Sequence, residues 1–355
     1  MASRIAVVAG ALGIVGRALV DQLRASGGWD IVALSRRALE LGPGVRQVQV
    51  DLLDAQDSRR ALRELVAATH VFYCAYSPRP TAGEEVEPNL AMVVNLVETL
   101  EAAAPRLAHV QLMQGSKWYG NQLGPYRTPA REDDARHMPP NFYYDQQDWR
   151  AARQRGNRWG WSALRPHCIC GFSVGSPMNH LAALSVYASV SRELGLPLRF
   201  PGNPQAFAAL YQFTDARLLA RAMEWAATTT ACENEAFNMT NGEPERWKNI
   251  WPAIARTFGM EPGDVQQVNL VSTMRDKEPL WSRMREKYGL QPLTLDQLVN
   301  WSFADWAYSA PYDQVSSLAK ARRAGWNEVL DASAMFGDLI GGLMMQRVIP
   351  PAPAN

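Results

Sequence analysis

Apolar residues in the first half of the chain come in short runs, each broken by a glycine or a polar stretch. Residues 4–9 form the first run and end at Gly10, with the length and content of a buried parallel strand. Val15, Leu19 and Leu23 then recur every four residues, lining one face of a helix that Gly27 and Gly28 stop. Further strands are expected at 30–34, 45–50, 70–74, 109–113 and 161–165. Leu90, Val93, Val97 and Leu100 mark the apolar face of a helix between the fourth and fifth strands. Such alternation implies right-handed crossovers, and so an α/β fold with a doubly wound parallel sheet of the Rossmann type.

Beyond Phe172 the alternation lapses, and 176–204 reads as mixed helix and Pro/Gly loop. A strand at 211–215, a helix at 216–227 and a strand at 236–239 are expected to return to the sheet, whereas 243–349 is rich in Trp and helical spacing. The pattern predicts a dinucleotide-binding domain over 1–175 and 206–242, interleaved with a smaller, mainly helical substrate lobe over 176–205 and 243–355.

Composition narrows the function. With 355 residues, 47% apolar and 20% charged, the chain has the make-up of a soluble globular protein of about two domains. Its 36 Lys and Arg against 35 Asp and Glu leave a net charge of +1. That supplies no field for a phosphate backbone, so no nucleic-acid partner is expected. No run nears the ~18 apolar residues of a spanning helix, and no membrane association is expected. Cys74, Cys168, Cys170 and Cys232 are scattered, and no signal peptide precedes the first strand, which makes the cytoplasm the expected compartment. The histidines form no ligand cluster, so no metal is expected. Twelve Trp against 10 Phe and 11 Tyr fit a core, a homodimer contact or an apolar pocket.

Gly10-Ala11-Leu12-Gly13-Ile14-Val15-Gly16 lies between the first strand and its helix. There the first glycine permits a tight turn, the second lets backbone approach a pyrophosphate, and the third allows close helix–strand packing. The helix N-terminus at Ile14 and Val15 offers unpaired N–H groups. NAD-selective chains place an acid at the end of the second strand, but here Ser35-Arg36-Arg37 stands there, which suits the 2′-phosphate of NADPH. Asp51-Leu52 could meet the adenine edge or cap a turn.

The fifth strand runs into Gln114-Gly115-Ser116-Lys117-Trp118-Tyr119, and further on the chain reads Asn141-Phe142-Tyr143-Tyr144-Asp145-Gln146-Gln147-Asp148. No lysine follows either tyrosine by four residues, so the Tyr-x-x-x-Lys helix of ordinary short-chain dehydrogenases is missing. This arrangement resembles the plant progesterone 5β-reductase and iridoid synthase family, atypical extended short-chain dehydrogenases that reduce activated C=C bonds with NADPH. The family's Lys-His-Tyr and Gly-Pro-Phe are met by Lys117-Trp118-Tyr119 and Gly124-Pro125-Tyr126. Its Asn-Phe-Tyr-Tyr-x-x-Glu-Asp is met by Asn141 to Tyr144 and Asp148, with Gln147 in place of Glu. Arg165-Pro166, Ile169 and Gly171-Phe172-Ser173 match a further segment, in which His167-Cys168 replaces Gly-Asn.

The resemblance implies that Tyr144 is the catalytic tyrosine and Lys117 the displaced lysine. Gln114 and Ile169 join the cofactor-binding candidates, and Trp118, Tyr126, Phe142 and Phe207 are candidates to wall the pocket. The substrate class it implies is a hydrophobic enone or enal such as a steroid or terpenoid. Two other readings stay open at this point: an extended short-chain dehydrogenase acting on a carbonyl or nucleotide-sugar, and a non-catalytic NADPH-binding regulator. A hydrolase reading of Gly171-x-Ser173-x-Gly175 fails, because no Asp or Glu stands between Ser173 and His180, the one later histidine.

Overall fold

Each apolar run expected as a strand before residue 167 is one in the computed structural model, which describes residues 4–38, 41–173, 175–176 and 178–353. They are β1 (Arg4–Ala9), β2 (Trp29–Ser35), β3 (Val45–Gln49), β4 (His70–Tyr73), β5 (His109–Met113) and β6 (Gly160–Pro166). With Glu235–Met239 they form one parallel sheet in the order Glu235–Met239, β6, β5, β4, β1, β2, β3. The doubly wound Rossmann-type sheet is therefore observed. Strand order reverses between β1 and β4, the switch point beyond whose carboxyl ends such sheets bind ligands.

Helices α1 (Ile14–Ser26), α2 (Ala55–Leu62), α3 (Ala82–Ala103) and α4 (Phe142–Gln154) follow β1, β3, β4 and β5. The caps explain their starts. Asp54 accepts from the Gln56 and Asp57 N–H groups, and Thr81 with Glu84 forms a reciprocal capping box. α1 packs against the helix Ala216–Thr228, while α3 packs against α2 and α4. Val7, Val32, Val71, Leu96, Val97 and Val110 are among the side chains closing the core between sheet and helices.

The chain divides into two units. One comprises Met1–His167, Ala216–Met239 and Ser317–Asn327; the other comprises Cys168–Asp215, Thr240–Ser316 and Glu328–Asn355. These bounds differ from the expected ones in two informative places. Residues 211–215 do not form a strand of the large sheet. Leu210–Tyr211 pairs antiparallel with Glu245–Arg246, and Thr214–Asp215 pairs parallel with Ile169–Cys170, all within the second unit. The break falls where Gln212 donates to the Gly242 carbonyl and accepts from the Ser316 N–H, and where Phe213 packs 4.8 Å from Trp247. Conversely, 317–327 belongs with the sheet. Ser317 N–H donates to the Ala130 carbonyl, Lys320 pairs with Glu235 at 2.6 Å, and Trp326 lies 5.3 Å from Trp225.

The second unit is mainly helical, with His180–Glu193, Trp247–Thr257, Glu278–Tyr288 and Ala332–Met345 its longest helices. Trp247, Trp251, Trp281 and Trp301 sit in its core, so part of the Trp excess is packing. No helix among the described residues is long and apolar enough to cross a membrane.

Two histidines lie inside the sheet. His70 Nδ1 shares a 2.9 Å hydrogen bond with Thr69 Oγ1, and His109 Nε2 shares one of 2.9 Å with Ser162 Oγ. Burial, aided by the Arg4 charge, pushes His70 down to about 4; burial and the neighbouring His70 push His109 down to about 3. Both stay neutral when folded but bind a proton below about 6.5 when unfolded. Their contribution to stability is complete above that value and is lost as the pH falls toward 4, by roughly 1.4 kcal/mol per pH unit for each group. Urea unfolding at pH 7.5 and 5.0 checks this: His109→Gln should lose clearly less stability on acidification than the wild type, and equal losses would refute it.

Candidate active site

The turn after β1 is built around missing side chains. Gly10 has φ +75°, and a Cβ there would stand 2.7 Å from the Cys74 carbonyl oxygen; a Cβ on Gly16 would stand 2.3 Å from the Gly10 carbonyl oxygen. Gly13 is the N-cap of α1 and carries no side chain to satisfy the helix's first N–H groups. The first N–H groups of α1 thus have no side-chain cap, at a helix end that favours negative charge. This cradle fits a dinucleotide pyrophosphate.

At the end of β2 the backbone is pinned and the cations are left exposed. Gln49 Nε2 donates to the Arg36 carbonyl and Gln47 Nε2 to the Arg37 carbonyl, each at 3.0 Å, while both arginine side chains are exposed. Ser35 Oγ accepts from Gln47. Asp51 uses Oδ1 to accept from the Leu53 N–H at 3.0 Å, a turn cap, and Leu52 is buried in the core of the sheet.

Past β5 the chain enters a 3₁₀ turn, Ser116–Tyr119, that carries Lys117. Ser116 Oγ and His167 Nδ1 share a 2.7 Å hydrogen bond, joining this turn to the residue that follows β6. Asn141, the N-cap of α4, donates from Nδ2 to the Lys117 carbonyl at 2.8 Å and accepts at Oδ1 from the Tyr143 N–H at 3.1 Å. Tyr143 and Tyr144 follow in the first turn of α4, where successive residues differ by about 100° in direction.

That step separates the two tyrosines. The Tyr144 hydroxyl donates to the Trp118 carbonyl at 2.6 Å and accepts from the His137 N–H at 2.9 Å, and its ring meets Trp118 edge-on at 5.0 Å. It is a buried structural phenol. The Tyr143 hydroxyl lies over the ends of β5 and β6. It is 3.3 Å from where a Cβ on Gly115 would stand, and the Pro166 carbonyl is 3.6 Å from the same point. Gly115 thus makes room for this phenol. Burial and then the Glu85 charge push the Tyr143 hydroxyl well above its ordinary value, which keeps it protonated. Tyr76, which donates to Glu85, stacks on Phe142 at 5.7 Å, and Phe142 lies 4.4 Å from Tyr143.

Other expected site residues are committed elsewhere. The Gln114 carboxamide donates to Gln147 and accepts from Arg165, each at 2.9 Å. Trp118 is buried beneath the Arg165 guanidinium, 3.8 Å from its ring centre, and Tyr126 stacks on Tyr119 at 6.5 Å. Of the four pocket candidates, Phe142 packs nearest the Tyr143 ring, while Trp118 belongs to the cluster against which Tyr143 also packs. Ile169 and Phe207 belong to the second unit, where Phe207 packs 4.9 Å from Phe200. The residues whose placement sequence reasoning missed are Tyr143, Asn141 and Glu85. The helical phase counted from the Asn141 cap is the signal that separates Tyr143 from Tyr144.

Residues 45–329 match the PRISE-like Rossmann-fold domain family. Among characterised relatives, the chain is 32% identical over 368 aligned positions to a 3-oxo-Δ(4,5)-steroid 5β-reductase of Arabidopsis thaliana, covering 98% of this chain and 93% of that protein. It is 34% identical over 319 positions to an (S)-8-oxocitronellyl enol synthase of Camptotheca acuminata, covering 85% and 82%. Among solved structures, a UDP-glucose 4-epimerase of Thermotoga maritima superposes with a TM-score of 0.69 at 14% identity, covering 96% of this chain and 99% of that one. A UDP-glucose 4-epimerase of Thermus thermophilus complexed with NAD gives 0.65 at 19%, covering 95% and 97%. At such identities the two epimerases share the fold alone. The extent of the family match and of the sequence relationship identifies this chain as a member of the PRISE-like Rossmann-fold family.

Proposed function

We propose that the protein is an NADPH-dependent reductase of activated C=C bonds, adding hydride to the β-carbon of an enone or enal on a hydrophobic small molecule. The observation that carries the reading is the Tyr143 hydroxyl over the ends of β5 and β6, in a helix whose cap also holds the Lys117 turn. Relatives named as a steroid 5β-reductase and an enol synthase support the reaction class over a nucleotide-sugar substrate, since the epimerase likeness extends to fold only.

The residues divide the work. Ile14 and Val15, with the glycine turn, would hold the pyrophosphate; Arg36 and Arg37 would hold the 2′-phosphate. When bound, the nicotinamide supplies hydride. Tyr143, kept protonated, donates a hydrogen bond to the substrate carbonyl oxygen as negative charge gathers there, and the Lys117 cation adds favourable potential. Phe142 and Tyr76 exclude water beside that hydroxyl, which strengthens both effects.

Incubation with NADPH and 2-cyclohexenone, citral or progesterone tests the reading. The enolate takes a proton from water at the α-carbon, so the expected product is the saturated carbonyl compound, with deuterium from labelled NADPH at the β-carbon. An allylic alcohol labelled at the carbonyl carbon would refute the reaction class.

The two tyrosines separate by variant. Tyr143→Phe should lower kcat by ~10²–10³ with NADPH affinity unchanged. Tyr144→Phe should instead cost about 1–3 kcal/mol of stability, read as a lower melting temperature, and spare kcat, because it strips partners from the buried Trp118 carbonyl and the part-buried His137 N–H. The opposite assignment of the two phenotypes would return the catalytic role to Tyr144.

Cofactor choice is read by fluorescence titration. NADPH should bind tighter than NADH, and replacing Arg36 and Arg37 together by Ala should abolish the difference. Equal affinities in the wild type would sink the NADPH reading.

A further inference from the structure

We infer that Asn141 is a positioning residue for reduction: its carboxamide locks the Lys117 turn to the first turn of α4 and so sets how the Lys117 cation and the Tyr143 phenol stand to each other. The inference rests on the proposed reductase reading and deepens it. A lysine four residues after a tyrosine on one helix is positioned by the helix itself. Here Lys117 and Tyr143 are 26 positions apart in the numbering and lie on separate elements, so something else must fix their relation.

The Asn141 side chain spans that gap. Oδ1 accepts from the Tyr143 N–H and Nδ2 donates to the Lys117 carbonyl, an orientation of the amide that satisfies both partners and that the reversed one would not. Asn141 is itself buried. Ser, Thr and Asp all cap helices as well as Asn does, or nearly so. Of these, only Asn carries an amide donor beside its acceptor on so short an arm. The cap therefore needs a small polar residue, and the second bond needs Asn. The chain uses the same device elsewhere: Asn179 and Asn203 cap helices while donating to the Ser173 and Ser309 carbonyls. At Asn141 the carbonyl held is that of Lys117.

Asn141→Asp keeps the cap, removes the donor and adds a negative charge; Asn141→Ser keeps a capping hydroxyl on a shorter arm and adds no charge. Each should stay folded, melting somewhat below the wild type because the Lys117 carbonyl loses a partner, and keep its KM for 2-cyclohexenone, while kcat falls by about ten- to a hundred-fold, the size expected of a small misplacement. A second readout needs no turnover. The chain has five lysines, Lys117, Lys248, Lys277, Lys287 and Lys320, so reductive ¹³C-methylation gives few side-chain signals, and Lys117→Arg identifies that of Lys117. In Asn141→Ser this signal should move while the other four stay. Wild-type kcat together with an unmoved Lys117 signal would make Asn141 a cap alone and overturn the inference. So would loss of the folded state in both variants. If the wild-type protein reduces no enone, the reductase reading fails, and the methyl-lysine signal alone then decides whether Asn141 holds Lys117.

Discussion

A buried guanidinium holds the active-site end of the sheet together. Arg165, near the end of β6, is 2% exposed, and taking its charge out of water is costly unless its donors are met. Nε donates to Gln114, and Nη1 donates to the Tyr119 hydroxyl and the Glu132 carbonyl, while the flat face covers Trp118. Only arginine offers a planar fork that can do all of this at once. Two of its three partners, Gln114 and Tyr119, lie just past β5, so satisfying the charge also dictates where the turn bearing Lys117 begins. Gln114 passes the constraint on to Gln147 of α4, and Tyr119 passes it to Asn238 in the strand beside β6.

The aromatic cluster follows from that choice. Once Trp118 and Tyr119 are drawn under Arg165, Tyr144 is needed on the other side to close around them, and its hydroxyl satisfies the Trp118 carbonyl. Tyr143 also packs against this cluster, but one helical step turns its hydroxyl over the ends of β5 and β6. The geometry of the proposed catalytic pair is thus set by packing remote from the reacting atoms, which is how a rigid site is supported.

The sheet was legible because parallel strands buried on both faces read as apolar runs, and the runs ending at Ala9, Tyr73 and Met113 have no competing interpretation. The glycine turn was legible because its requirement is steric: at Gly10 and Gly16 no other residue fits. The segment at 211–215 was not, since its period matches a strand while its fate is decided by distant partners, the Trp247 ring and the Gly242 carbonyl. The side-chain partners of Trp118 and Gln114 were not legible for a related reason. Residues at strand ends border the ligand side of such a sheet, but whether a side chain turns toward a ligand or toward a buried arginine depends on Arg165, 47 and 51 positions away along the chain. Tyr143 and Tyr144 are alike in composition and pattern, and only the position of the cap fixes the helical phase that tells them apart.

Moving the lysine off the helix changes the chemistry as well as the geometry. With the lysine on the tyrosine's own helix, the phenol stands beside a cation that favours ionisation, which suits proton transfer to and from an alcohol. In this chain the Tyr143 phenol is governed by burial and by the Glu85 charge, both of which oppose ionisation. It is consequently a hydrogen-bond donor that gives up its proton reluctantly. A 1,4-addition asks for just that, because the charge reaching the carbonyl oxygen is shared with the α-carbon and needs stabilising rather than immediate protonation. A 1,2-reduction leaves a full alkoxide and needs the proton itself. The same displacement that created the need for a clamp at Asn141 therefore biases the site toward saturating the C=C bond.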